Sequence, residues 1–255
     1  MRYKIFLPLL VLYSTCVLTQ IRDFNFRNIN ISDGLSNNTV SSVVQDKLGQ
    51  IWFATSNGLN KYNGKDFTIF RNVPRDKYSI SSSEISNVLV DKEGYIWAGT
   101  YNGLNRYDPK TNKFKRYYKR SKSKHSLTNS LIICSKEMRG GNIWFGTSNG
   151  VSIYEKKKKR FIKFLQGNEK IGLRSINDIY LDKNENIWLA TNSSIIKVER
   201  NRTKKFKVKH YKIDVIKNKS YVSSIKEIAP NILGIGTRFG GYLNFDVKAE
   251  KFYRP

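Results

Sequence analysis

A chain of 255 residues is long enough for one large domain, and its formal charge of +26, from 46 Lys and Arg against 20 Asp and Glu, is extreme. Such a balance can signal nucleic acid or an anionic surface, but here the lysines are scattered through polar turns, which is the pattern of a solvated surface. With two histidines and two cysteines in all, a metal site or a His-based triad has almost nothing to use, and no Gly-rich phosphate loop occurs.

In chain order, the first element is a targeting segment. Arg2 and Lys4 precede an apolar run over residues 5–18, too short to span a bilayer and suited to a secretory h-region. A signal peptide over 1–20 is expected, with its cut between Cys16 and Ile21. Cys16 sits in a poor lipobox context. Once the peptide is removed, Cys134 is the only thiol, and its place among Leu131, Ile132 and Ile133 marks a buried strand residue. Export argues against nucleic acid as a partner. Residues 23–29 then alternate as a strand does.

From there the chain repeats. Ile51-Trp52-Phe53-Ala54-Thr55, Ile96-Trp97-Ala98-Gly99-Thr100 and Ile143-Trp144-Phe145-Gly146-Thr147 alternate with period two. Each is followed by an Asn-Gly pair (Asn57-Gly58, Asn102-Gly103, Asn149-Gly150), read as the type I′ turn of a hairpin. A fourth copy, Ile187-Trp188-Leu189-Ala190-Thr191, lacks the glycine turn, and a fifth has Gly234 where the others have Trp. The repeated threonines Thr55, Thr100, Thr147, Thr191 and Thr237 lie 45, 47, 44 and 46 residues apart, the period of a propeller or solenoid. Each repeat reads as four short strands. The turns after the first strand, such as Asp46-Lys47-Leu48-Gly49 and Asp91-Lys92-Glu93-Gly94, use Asp to bind backbone N–H groups and Gly for positive φ; in the fourth repeat Asn replaces the glycine. Asp46, Asp91 and Asp182 recur too regularly for a catalytic pair, and turn formation explains them. Four-stranded units cannot bury both faces alone, so Trp52, Trp97, Trp144 and Trp188 are expected to wedge between neighbouring sheets. The fold class is all-β: a β-propeller of four-stranded antiparallel blades.

The pattern Asp-x-x-Gly-x-Ile-Trp-x-(Gly/Ala)-Thr-x-Asn-Gly-Leu-Asn-x-Tyr, best kept from Asp91 to Tyr107, resembles the two-component regulator propeller repeat. Phe24 to Arg27 and Ser32 to Asn38 resemble the opening of those sensor domains, and the likeness extends to Tyr253. The resemblance implies the periplasmic sensor region of hybrid two-component systems of Bacteroidetes. There, two seven-bladed propellers commonly precede an immunoglobulin-like domain, a membrane helix and a histidine kinase, and the ligands are often oligosaccharides.

The strand count gives repeats at about 34–78, 79–125, 126–171, 172–220 and 221–255. Because the fifth repeat has its own fourth strand at residues 250–253, the strand at 24–29 finds no vacancy, and an open arc of five blades is expected within the 21–255 propeller region. The function read from this is a non-enzymatic, exported, periplasmic sensor region without its kinase, needing no cofactor or metal, with an oligosaccharide or other small ligand as partner. Further blades or a second copy could cover the exposed end faces, and any membrane link would run through segments outside this region or an uncleaved N-terminus. The alternatives are a remnant without independent function and a basic propeller binding acidic polysaccharide. Loops between second and third strands and loops between blades are expected to share one face. The candidate ligand residues there are Asn57, Tyr101, Asn102, Asn149, Arg238 and Phe239, with linker residues Arg75, Asp76 and Tyr78, because amides and aromatics suit sugar hydroxyls and pyranose faces. Tyr101 stands out because no turn requirement explains it. His125 and His210 read as a basic linker residue and a plain strand residue.

Overall fold

The structure, a computed structural model, describes residues 26–166, 175–200, 206–213 and 221–255. The signal segment and Cys16 lie outside the described residues. Among the described residues, twenty strands form five separate four-stranded antiparallel sheets, each a simple meander in chain order. Blade 1 contains β1 (Val40–Gln45), β2 (Ile51–Thr55), β3 (Gly58–Tyr62) and β4 (Phe67–Phe70); blade 2 contains β5 (Ile85–Val90), β6 (Ile96–Thr100), β7 (Gly103–Asp108) and β8 (Lys113–Tyr117). Blade 3 contains β9 (Ile132–Glu137), β10 (Ile143–Thr147), β11 (Gly150–Glu155) and β12 (Arg160–Phe164). Blade 4 is made of β13 (Asp178–Leu181), β14 (Ile187–Ala190), β15 (Ser194–Arg200) and β16 (Phe206–Lys212), and blade 5 of β17 (Val222–Ala229), β18 (Ile232–Thr237), β19 (Tyr242–Asp246) and β20 (Lys251–Tyr253).

The first strands of successive blades lie against one another and so form the inner wall; the fourth strands are outermost, and the blades follow as an open arc. The core is not one mass but four interblade layers. Trp52 packs among Ile80, Ile85, Ile96 and Tyr107 of the blade 2 side, Trp97 among Ile132, Phe145 and Tyr154, Trp144 among Ile179, Leu189 and Val198, and Trp188 among Ile225, Ile235 and Phe245. A ring of the next blade meets each indole closely: Tyr107 at 5.4 Å from Trp52, Tyr154 at 4.9 Å from Trp97, Phe206 at 5.4 Å from Trp144 and Phe245 at 5.7 Å from Trp188. Removing one such indole to Ala would cost about 3–5 kcal/mol.

Three of these tryptophans are also latched. The turn aspartates Asp46, Asp91 and Asp182 accept backbone N–H groups through Oδ1, and Oδ2 accepts the indole Nε1 of Trp52, Trp97 and Trp188 at 2.8, 2.9 and 2.9 Å. One carboxylate thus closes the turn and orients the wedge. Blade 3 has Met138 in the place of the aspartate. Close sheet approach also depends on glycine: a Cβ on Gly99 would lie 2.6 Å from Ile132 Cγ2 of the next blade.

Three expectations are corrected. The loop of the blade 2 hairpin is Tyr101-Asn102, because Thr100 pairs with Gly103. Gly103 has φ +112° whereas Asn102 is not among the positive-φ residues, so the turn is not type I′. Thr100 Oγ1 holds it instead, accepting Asn102 N–H and donating to Gly103 O, while Gly103 leaves room for Tyr117 O at 2.9 Å from a would-be Cβ. In the blade 4 turn the left-handed residue is Glu185 (φ +65°), not asparagine; Asn186 follows it and donates to Asp182 through both its backbone and its side chain. Finally, residues 26–30 pair with no sheet. Asn30 caps a 3-10 turn at Ile31–Asp33, with reciprocal Asn30 and Asp33 bonds, which turns the chain before blade 1; residues 23–25 lie outside the described residues.

Candidate functional site

The four-strand meander sends the turns between second and third strands to one end of every blade and the Asp-bearing turns to the other. Asn57, Tyr101, Asn102, Asn149, Arg238 and Phe239 therefore share one end of the arc but sit on four different blades. Asn57 is engaged locally: its Nδ2 donates to Ser36 O at 3.4 Å and its Oδ1 accepts Arg71 Nε at 3.3 Å. Asn102 and Asn149 donate their backbone N–H to Thr100 and Thr147 as turn residues. Tyr101 projects from its turn 61% exposed, and Phe239 is 75% exposed. Arg238 gathers the blade 5 group, since its guanidinium lies 5.4 Å from the rings of both Tyr221 and Phe239 and Nη1 donates to the Tyr221 hydroxyl. A guanidinium flanked by two accessible rings can offer both donors and an apolar platform.

The linker candidates lie elsewhere. Phe114 N–H of β8 donates to Tyr78 O at 2.9 Å, and Arg116 of the same strand donates to Asp76 O, Ser79 O and Ser79 Oγ. The linker thus runs along the outermost strand of blade 2 and covers its free edge, which carries Arg75, Asp76 and Tyr78 away from the hairpin turns. Asp76 Oδ1 is spent on Tyr78 N–H, Arg75 takes a left-handed φ of +68°, and Tyr78 lies between the Lys77 and Lys113 ammonium groups. The next linker repeats the arrangement, with His125 Nδ1 3.3 Å from Phe161 O of β12.

Beneath the hairpin turns lies a polar layer that sequence reasoning missed. Ser81 N–H donates to Asn105 Oδ1, Asn105 Nδ2 donates to Ser81 Oγ, and Ser81 Oγ meets Thr100 Oγ1 at 3.2 Å. Ser36, Thr55 and Asn60 repeat the triad in blade 1, and Thr128, Thr147 and Ser152 in blade 3. The partners stand 19 and 24 residues apart each time, a spacing readable in the sequence once the threonines are aligned. These buried groups satisfy one another and pin each linker under its hairpin, giving the exposed turns a rigid base.

At the opposite end Lys156 crosses from blade 3 to blade 2, its Nζ 3.0 Å from Glu137, 3.3 Å from Asp91 and 3.8 Å from Glu93. Burial works against its charge, but Glu137 and Asp91 more than offset this and leave its pKa raised. Cys134 is buried on β9 with Sγ facing Ile176 O; burial pushes its thiol up and leaves it unreactive. His210 on β16 is held below the usual imidazole value by burial and by Lys212. Among the described residues no three of His, Cys, Asp and Glu gather as a metal-ligand set, and no helix is long and apolar enough to cross a membrane.

Comparison with known proteins places this geometry. The sequence pattern described as "Two component regulator propeller" matches residues 34–57 and 79–102, the entry segment and hairpin of blades 1 and 2. A 62-residue stretch is 47% identical to histidine kinase P4 of Formosa agariphila, covering 24% of this chain and 4% of that protein. The crystal structure of the extracellular domain of a protein described as a hybrid two-component system from B. thetaiotaomicron superposes with a TM-score of 0.58 at 23% identity, over 90% of this chain and 36% of that one. Virginiamycin B lyase from Staphylococcus aureus shares the fold as well, at 16% identity and a TM-score of 0.56 over 82% of this chain and 70% of the lyase, so the fold by itself accommodates catalysis. The chain spans only a small part of the kinase and about a third of the extracellular domain. Two of its five repeats match the two-component regulator propeller pattern, and its blades share the fold of the extracellular sensor domain that it resembles.

Proposed function

We propose that this propeller is a non-catalytic ligand-sensing region, exported to the periplasm, that takes an oligosaccharide or other small ligand on the end bearing the hairpin turns. The observation that carries the reading is the exposure of Tyr101 on a turn anchored by the buried Ser81, Thr100 and Asn105 layer, and of Phe239 on the blade 5 turn, with Arg238 lying against both Tyr221 and Phe239. Rings presented on a rigid base bind pyranose faces with little ordering cost. The family to which the repeats belong and the extracellular placement of its structural relative support sensing outside the cytoplasm.

In such a sensor a ligand bridging two or more turns would hold neighbouring blades at a fixed angle and so report occupancy mechanically. The test is calorimetric titration of the full chain with a panel of neutral and acidic oligosaccharides, repeated on Phe239→Ala and Tyr101→Ala. At least one oligosaccharide is expected to bind, with affinity reduced about tenfold or more in one variant. Absence of binding across the panel, or binding that neither substitution changes, refutes the reading.

A further inference from the structure

We propose that the cleft between blades 2 and 3, at the end of the molecule opposite the hairpin turns, is a second binding site, specific for a small carboxylate such as an acidic monosaccharide. The cleft has a volume of about 360 Å³, within the range of about 300–1,000 Å³ usual for small-molecule sites. Its floor is a cross-strand row of blade 2: Trp97 pairs with Arg106 and Arg106 with Lys115, so the three side chains share one face. Blade 3 supplies the facing wall through Tyr154, Lys156 and Lys159, and Tyr95 closes one side.

The charges in this cleft do not cancel. Its two acids, Asp91 and Glu93, are both engaged by Lys156, and Asp91 additionally accepts two backbone N–H groups and the Trp97 indole. Arg106, Lys115 and Lys159 line the same space, and none of them enters an ion pair among the described residues. The Arg106 guanidinium lies 4.2 Å from the Tyr95 ring, and its Nε is buried without an acceptor. A charged donor out of reach of water and without an acceptor is expensive to maintain. The other blades resolve the same row differently: in blade 4 Lys197 is paired with Glu199 at 2.5 Å and Lys209 with Glu250, while blade 3 has Ile153 and Ile162 there. Among the described residues, only the blade 2 row sets an arginine with no ion-pair partner against an open cleft, and a planar guanidinium matches a carboxylate in two-point geometry. Tyr95 and Tyr154 would flank the remainder of the ligand. This assignment does not rest on the oligosaccharide reading of the opposite end.

Because the protein is strongly basic, the test must separate a site from general attraction to anions. Calorimetric titration of the full chain with galacturonate and with galactose is expected to give saturable binding of galacturonate alone. Arg106→Gln should weaken it at least tenfold. Lys115→Gln combined with Lys159→Gln, both positions being exposed, should weaken it similarly with the fold intact by circular dichroism. The pair Lys122→Gln and Lys124→Gln, in the linker between blades 2 and 3, should leave it unchanged. Equal binding of galactose, undiminished affinity in the cleft variants, a loss in the linker pair as large as in the cleft pair, or inorganic sulfate binding as tightly as galacturonate would each overturn the proposal.

Discussion

Replacing Asp91 by Ala should destabilise the propeller more than the same change at either equivalent turn. Asp91 is 2% exposed and performs three tasks: Oδ1 accepts Glu93 and Tyr95 N–H groups, Oδ2 accepts Trp97 Nε1, and Lys156 Nζ stands 3.3 Å away. Truncation leaves a buried indole N–H and two turn N–H groups without an acceptor and removes one of the carboxylates around a largely buried ammonium. Breaking a buried ion pair by deleting one partner costs about 3–5 kcal/mol, and the Lys156–Glu137 contact that remains places Asp91→Ala at the lower end of that range. Asp182 makes the same indole contact without a lysine, and Asp46 is half-buried and within reach of water, so Ala there should cost about 2 and about 1 kcal/mol, respectively. Urea unfolding of the three variants at neutral pH, followed by tryptophan fluorescence, measures the series. If Asp46→Ala proves as damaging as Asp91→Ala, the carboxylate is only a turn former, and the argument from the indole and the lysine fails.

Other outcomes follow from single contacts. Gly99→Ala should cost about 1–3 kcal/mol by pushing against Ile132 across the interblade layer, and a double-mutant cycle with Ile132→Ala, which removes the opposing Cγ2 methyl, should show a favourable coupling. Glu185→Gly should raise stability by up to about 1 kcal/mol by relieving a left-handed residue, since the Arg139–Glu185 pair it removes is exposed and contributes little; a loss would show that this pair matters. Burial raises the Asp178 pKa, against opposing contributions from the Ile225 and Ile179 N–H groups and Lys136. A raised folded-state pKa contributes stability that is present at low pH and lost as pH rises through that value. Wild type should therefore gain on Asp178→Asn as pH falls from 7 towards 4, and urea midpoints of the pair at several pH values check the sign.

The fold was legible because the repeat states it five times. The alternation of Ile96 to Thr100, the Asp91 turn and the spacing of Thr55, Thr100, Thr147, Thr191 and Thr237 fix the strands to within a residue, and the tryptophans pack where a wedge is needed. What escaped was whatever depends on register rather than composition. Asn102-Gly103 reads as a two-residue turn, yet Thr100 pairs with Gly103 and displaces the loop by one. The linker residues Arg75, Asp76 and Tyr78 are polar and lie between blades, as the hairpin end requires, but the free edge of β8 draws them outward through the Tyr78 and Arg116 bonds. Arg106 was one polar letter in a repeat whose equivalents are Lys61, Ile153, Lys197 and Asn244, and its unpaired state emerges only when blade 3 is set against it. Of the candidate ligand residues, Tyr101, Arg238 and Phe239 stand at the end of the blades where the sequence placed them, on two different blades.

The most direct test of the sensing account is to locate a bound oligosaccharide by hydrogen exchange on the full chain. Protection concentrated in the hairpin turns at 56–57, 101–102, 148–149 and 237–241 is the predicted result. Protection confined to the Asp-bearing turns at 46–50 and 91–95, or none anywhere at saturating oligosaccharide, would contradict it.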